Sequence, residues 1–257
     1  MLESLGQSIA LATHANAALA GERVSLDIAS NPWFKGMGSL PFFTGDGANK
    51  LGDNPDEWIA KLSAQGFTSA FLWFEPYDGN PETINGLAFI GGTRWAPVTA
   101  AVGVEIVWHE RIDEGRDAQP EHRRLGFRVL PEQSSVQAAP VEAIEHLNRA
   151  LGAMAAFQKR HFPEEPFTER MLQPAQEILR GAASIPDVVF SLFPGGYPET
   201  SYRLAGAVHA GWVLGGMGWW TDRTMSEPEL ESEFWAVTGD YYAALGKALF
   251  ATCHVKL

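Results

Sequence analysis

Two stretches of strict alternation constrain this chain more than any other feature. In 101–109, Val102, Val104, Ile106 and Trp108 fall at every second position, and in 122–130 so do Leu125, Phe127 and Val129. A period of two marks a strand with one face on a core and the other in water or under a helix. The polar, charged stretch 110–121 between them predicts a hairpin with a solvated connection. Beyond residue 140 the period changes. Ile144, Leu147, Leu151, Met154 and Ala155 make one stripe at helical spacing over 141–160, with Glu145 and Arg149 on the other side. Pro131, Gln133, Ser134, Ser135 and Pro140 form a short connector where the pattern turns over. The prediction is an α+β chain. A sheet-rich part over 1–135, antiparallel or mixed with short helices, packs against a helical layer of about four helices over 136–257, as one compact unit.

Local signals fill in the elements. Val24, Leu26 and Ile28 predict a half-buried strand over 23–28, and 67–74 reads as a buried strand. Leu2, Leu5, Ile9, Ala12 and Leu19 share one side of an N-terminal amphipathic helix that Gly21 stops. Asn54, Pro55 and Glu57 read as the N-cap, first residue and capping box of a helix ended by Gly66. Gln173-Pro174 starts or kinks a helix that Gly181 ends, and 187–193 is an apolar run of either type. A further helix is predicted over 198–220. The last opens on Ser226, with Glu229 completing a capping box, and turns Leu230, Phe234, Val237, Tyr241, Leu245 and Leu249 inward.

Composition narrows the function. Hydrophobic residues at 46% exclude a disordered chain. Acids outnumber bases 31 to 19, for a net charge of −12. The excess is even: 16 acids and 10 bases up to residue 130, 15 and 9 after it, −6 in each half. Nucleic-acid binding needs a basic face. The one basic cluster is Arg123, Arg124 and Arg128, of which only the last two share a strand face, so no nucleic-acid partner is expected. An acidic surface suits a basic protein partner drawn in by steering. The single cysteine, Cys253, allows no intrachain disulfide and fits a reducing, cytoplasmic setting. The Ala-rich start carries Glu3 and no Lys or Arg before residue 20, the reverse of a secretory signal. The uncharged stretch 204–220 holds His209 and five glycines, which favours a buried helix over a membrane span.

Motifs of known chemistry are missing. There is no P-loop and no nucleophile elbow, and Gly36-Met37-Gly38 continues with Ser39-Leu40-Pro41 instead of a dinucleotide fingerprint. His109-Glu110-Arg111-Ile112-Asp113 has Asp where a zinc protease needs its second histidine. Asp46-Gly47-Ala48-Asn49-Lys50 puts Ala and Lys where a calcium loop needs oxygen ligands. Pro163 breaks the helix that would align His161 with Glu164. The carboxylates of Asp46, Asp53, Asp56 and Glu57 gather round the Gly-rich 35–53 loop without metal-ligand spacing. No cofactor and no metal site is expected. Glu105 and His109 share the strand face opposite Val102–Trp108, as an acid/base pair or as solvent-facing decoration.

The most unusual segment runs Gly211-Trp212-Val213-Leu214-Gly215-Gly216-Met217-Gly218-Trp219-Trp220-Thr221-Asp222. Glycines in a helix cost about 1 kcal/mol each relative to Ala. Either they permit close packing with tryptophans in the gaps, or they end a helix that presents Trp219, Trp220 and Asp222 at an interface. The acids that follow, Glu227, Glu229, Glu231 and Glu233, read as a docking strip or as residues favoured by the helix dipole. This part of the chain resembles a group of uncharacterised bacterial proteins. They carry an Ala-rich helix, a Gly-Gly-Met-Gly-Ser-Trp-Asn-Asp-like stretch and a final helix with aromatics. Gly215 to Asp222, Pro194-Gly195-Gly196-Tyr197-Pro198 and Tyr241-Tyr242-Ala243-Ala244-Leu245 fit that pattern, with Trp219 in place of Ser and Thr221 in place of Asn. The likeness spans 140–255. It implies an immunity-type protein of a toxin system, and no catalytic residues come with it.

Two functions are therefore in play. One is a cytosolic binding module that sequesters a basic partner such as a bacterial toxin, through Trp219, Trp220, Asp222, Glu227, Glu229, Glu231 and Glu233. The other is an enzyme with a site between sheet and helices, built from His109, Glu105, His209 and Asp222. Nothing in the pattern sets an oligomeric state.

Overall fold

A computed structural model describes residues 1, 3–37, 39–43, 50–75, 77–81, 84, 95–101, 104–111, 124–129, 139–214 and 220–255. For 43, 95–96, 101, 104–111 and 124–129 the backbone path is described. Helix α1 is Glu3–Leu19 and α2 is Pro55–Ala64. The strands are β1 (Phe42–Phe43), β2 (Lys50–Gly52), β3 (Ser69–Phe74), β4 (Trp95–Ala101), β5 (Val104–Arg111) and β6 (Arg124–Val129). Helices α3 (Pro140–His161), α4 (Gln173–Arg180), α5 (Asp187–Phe190), α6 (Glu199–Ala210) and α7 (Pro228–Cys253) follow. The fold is α+β.

Among the described residues, six strands make one mixed sheet in the order β2-β1-β6-β5-β4-β3. Neighbours run antiparallel except β1 and β6, which meet in parallel where Phe42 pairs with Leu125. The predicted hairpin is β5–β6. Ile106 lies opposite Val129 and Trp108 opposite Phe127, so apolar positions meet row on row. A slip of one residue would throw every one of them to the other face, so the alternation fixes this register.

Paired residues share a face, and the two faces differ. Ala70, Leu72 and Phe74 belong to the main core, and Thr99, opposite Ala70, is fully buried on the same side. Ile106 and Trp108 continue that face on β5. The other face carries Phe71, Val98 and, by register, Glu105, Val107 and His109. Its cluster is small: Phe71 and Val98 against Phe250 of α7.

Helix α1 departs from expectation. It is buried along nearly its whole length, not on one side. Three of the polar residues that interrupt its apolar run bond to other elements, while His14 bonds to the Ala10 carbonyl of α1 itself. Gln7 donates to the Trp33 carbonyl at 2.8 Å, and Thr13 donates to the Leu192 carbonyl. Asn16 donates to the Val255 carbonyl at 2.8 Å and accepts from the Ala70 amide at 3.2 Å. A buried polar group must be hydrogen-bonded, and these bonds tie sheet, C-terminus and α5 region to one central helix. Small residues let neighbours approach; Gly6 lies directly under the Trp33 ring. The main cluster runs from Leu5 through Phe74 to Cys253, so both halves of the chain share it.

Other expectations need correction. Residues 23–28 form no strand. Leu26 is buried, but its amide donates to Asp56 Oδ1 at 3.1 Å, and the Ser25 hydroxyl donates to the same carboxylate. A side chain takes the place of a neighbouring strand. Helix α6 stops at Ala210, ten residues before the predicted end, with Gly211 as its C-cap. Tyr241 of α7 donates its hydroxyl to the Gly211 carbonyl, and a Cβ there would lie 2.9 Å from that oxygen. Helix α7 starts with Glu227 as N-cap and Pro228 at its first position, and no side chain caps it. Ser226 therefore builds no capping box. The run 187–193 contributes α5, so five α-helices follow residue 139 among the described residues. By contrast, Asn54 accepts from the Glu57 amide at 3.0 Å while Glu57 accepts from the Asp53 amide at 2.8 Å, which closes the start of α2 as read. Gly181 ends α4 in the left-handed region at φ 72°. The loop with Asp46, the hairpin connection 112–123, the connector 131–138 and residues 215–219 lie outside the described residues.

Candidate functional site

The unusual Gly/Trp segment leads into an aromatic cluster of the helical layer. There the end of α3, the turn after it and the start of α7 come together. Pro163 and Pro166 stop α3 from continuing, and the chain re-enters helix through a π turn, Thr168–Leu172. A 3₁₀ turn, Trp220–Asp222, packs into this bend. Trp220 is fully buried. Its Nε1 donates to Thr238 Oγ1 at 2.8 Å, and its ring stacks on Phe234 with centroids 5.4 Å apart. Phe157 and Phe167 close round it at 5.9 and 6.4 Å. Of the two readings of this segment, close packing describes Trp220. Trp219 lies outside the described residues.

Arg223 completes the cluster, and the sequence reading did not single it out. Its guanidinium carbon lies 4.3 Å from the Phe162 ring centre, 5.0 Å from Phe167 and 4.7 Å from Trp220. It pairs with Glu165, and its side chain is only 9% exposed. Burial pulls its pKa below the usual arginine value while Glu165 works the other way. Arginine stays charged through such a shift. Three aromatic faces and one carboxylate therefore hold a desolvated cation, where cation–π attraction is strongest. The available signal was the pair of phenylalanines bracketing Pro163 and Pro166, a turn that needs something to clamp it.

This clamp fixes the start of α7, where acids crowd. Asp222, Glu227, Glu229 and Glu231 are exposed. Glu227, Glu229 and Glu231 have no ion-pair partner among the described residues. Glu233 differs: it accepts from Arg160 at 2.6 Å and lies 3.4 Å from His161 Nε2. At 100° per residue, Glu229 and Glu233 fall on one side of α7 and Glu231 on nearly the opposite side. The carboxylates thus ring the helix end instead of forming one strip. Glu229 and Glu231 also sit in the first turn, where the dipole favours anions.

Compared with protein families, with curated proteins and with solved structures, the chain matches none. The site must speak through its own geometry.

The four residues of the enzyme reading fall in different places. His209 is in the last turn of α6, edge-on to Trp33 with ring centres 5.8 Å apart. Burial, helped by the positive Met1 amino group, pulls its pKa down to about 4, so it is neutral at pH 7. Its Nδ1 has no hydrogen-bond partner among the described residues. Asp222 is exposed at the helical end. Glu105 and His109 belong to the sheet face opposite the main core, by the register of β4 and β5. Cys253 is buried, and burial pushes its thiol far above the usual range, which leaves it unreactive. Among the described residues, no three His, Cys, Asp or Glu are grouped to hold a metal ion, and no helix is long and apolar enough to cross a membrane.

Proposed function

We propose that this chain is a protein-binding module that sequesters a basic protein partner, and that the partner docks on the acidic end of α7. The observation that carries this reading is a set of exposed carboxylates, Glu227, Glu229 and Glu231, with no ion-pair partner among the described residues, on a helix start that Arg223 and three aromatic rings hold rigid. Unpaired exposed acids on a rigid base attract a basic surface at little ordering cost. A net charge of −12 extends that attraction over the whole molecule. Trp220 and Arg223 serve as support for the surface, and the carboxylates make the contact.

The resemblance of 140–255 to a group of uncharacterised bacterial proteins, some of them immunity-type partners of secreted toxins, supports a bacterial toxin as the partner, met in the cytosol. Neutralising a toxin needs affinity, not turnover, since a nanomolar dissociation constant already corresponds to about 12 kcal/mol. The test is capture on the immobilised chain from a lysate of the source organism, at low salt and after a roughly tenfold rise in ionic strength. The proposal expects one basic protein retained in stoichiometric amount and released by salt. An empty eluate, or a retained partner that is acidic and indifferent to salt, would overturn it.

A further inference from the structure

A groove lies along the outer edge of β3, where α7 passes it. It encloses about 220 Å³. Trp73, Phe74 and Tyr77 form one wall, and Tyr242, Gly246 and Phe250 form the other. Two glycines of α7 let the rings of the first wall approach the helix closely. A Cβ on Gly246 would lie 3.0 Å from the Phe74 ring, and one on Gly239 would run into the Tyr77 ring. The rings are held at fixed distances, with Phe74 and Tyr242 centred 4.8 Å apart and Tyr77 and Tyr242 6.1 Å apart.

Two charged residues complete the lining, Glu75 and Lys247. Lys247 is half-buried and has no carboxylate partner among the described residues. A partly desolvated ammonium beside an apolar cavity is a site for an anion with an apolar body. The size limits that body, because drug-sized pockets start near ~300 Å³. One aromatic ring or a short acyl chain fills the space. One ammonium balances one negative charge, which favours a monoanion over a dianion.

We infer that this groove binds a small amphiphilic monocarboxylate, its ring or acyl chain among Phe74, Tyr77 and Tyr242 and its carboxylate on Lys247. The site is separate from the proposed docking end. Lys247 lies nineteen residues along α7 from Pro228, about 28 Å at 1.5 Å per residue. The two readings therefore stand or fall apart.

Calorimetric titration of the full chain with 3-phenylpropionate, 3-phenylpropanol and phenyl phosphate tests it. Saturable binding of the carboxylate is expected, at least tenfold tighter than of the neutral alcohol or the dianion. Lys247→Met should erase that preference and leave the alcohol unchanged. Gly246→Leu should abolish binding of both; thermal unfolding checks that each variant is folded, with Lys247→Gln in place of an unfolded Lys247→Met and Ala243→Leu in place of an unfolded Gly246→Leu. Equal affinity for acid and alcohol, tighter binding of phenyl phosphate, or a Lys247 variant that binds the acid as before would overturn the inference. So would the absence of saturable binding.

Discussion

Gly6 sits where a helix of small residues meets the face of Trp33, and a Cβ there would enter the ring. Trp33 cannot yield easily, since its Nε1 donates to the Val188 carbonyl at 3.0 Å. Gly6→Ala should therefore destabilise the fold by about 1–3 kcal/mol despite the better helix propensity of Ala; urea unfolding reads the difference. Nothing in the sequence distinguished Gly6 from its neighbours, because the constraint comes from a ring that arrives from outside α1. His209 carries a second prediction. Its pKa is about 4 in the fold against 6.5 for the free side chain. As pH falls, the unfolded chain takes up the proton first. The stability present above about pH 6.5 is then lost progressively toward pH 4. Burial lowers His14 in the same direction. His209→Gln should flatten the fall in urea midpoint between pH 6.5 and 4.5 relative to the parent chain. An unchanged slope would mean that the imidazole is not desolvated.

At the level of elements, the amphipathic stripes and the cap chemistry were readable, and the places where reading failed share a cause. The stripe over 141–160 became α3, and the alternation was legible in β5 from Val104 and in β6 over Arg124–Val129, because both periods report which side is buried. The expected start at residue 101 was too early, since Ala101 ends β4 and pairs with Val104 of β5. Residues 23–28 alternate too, but alternation cannot say whether a neighbouring strand is present, and Asp56 fills that place. The overshoot of α6 past Ala210 has the same origin: the acceptor role of Gly211 depends on Tyr241, thirty residues away. The two N-caps expected from the sequence, of which only Asn54 is one in the fold, give a matched prediction. Asn54→Ala should cost about 1 kcal/mol, whereas Ser226→Ala should stay within about 0.5 kcal/mol, since only Asn54 accepts an amide. The clamp gives another. Arg223→Ala should destabilise by about 2–3 kcal/mol, and Arg223→Lys should recover little of it, because an ammonium cannot lie flat against three rings while pairing with Glu165. Chemical denaturation of the four variants decides both pairs.

For the whole molecule, the sheet-then-helices order was legible and the position of α1 was not. A mean pattern of apolar residues fits a surface helix as well as a central one; its polar residues reveal the difference only once their partners are in place. The main cluster draws on Leu5, Phe74 and Leu245 alike, so the helical part shares its core with α1 and the sheet. Of the candidate docking residues, the acids were legible from charge, while the support beneath them was not, since Arg223 and Glu165 are distant in sequence. Charge at the start of α7 remains the quantity on which the functional reading turns. The most direct measurement compares capture from the source lysate by the parent chain with capture by the triple variant Glu227→Lys, Glu229→Lys, Glu231→Lys, with circular dichroism confirming that the variant is folded. The account predicts that the parent retains a basic protein and the variant does not. Equal retention by both would contradict it.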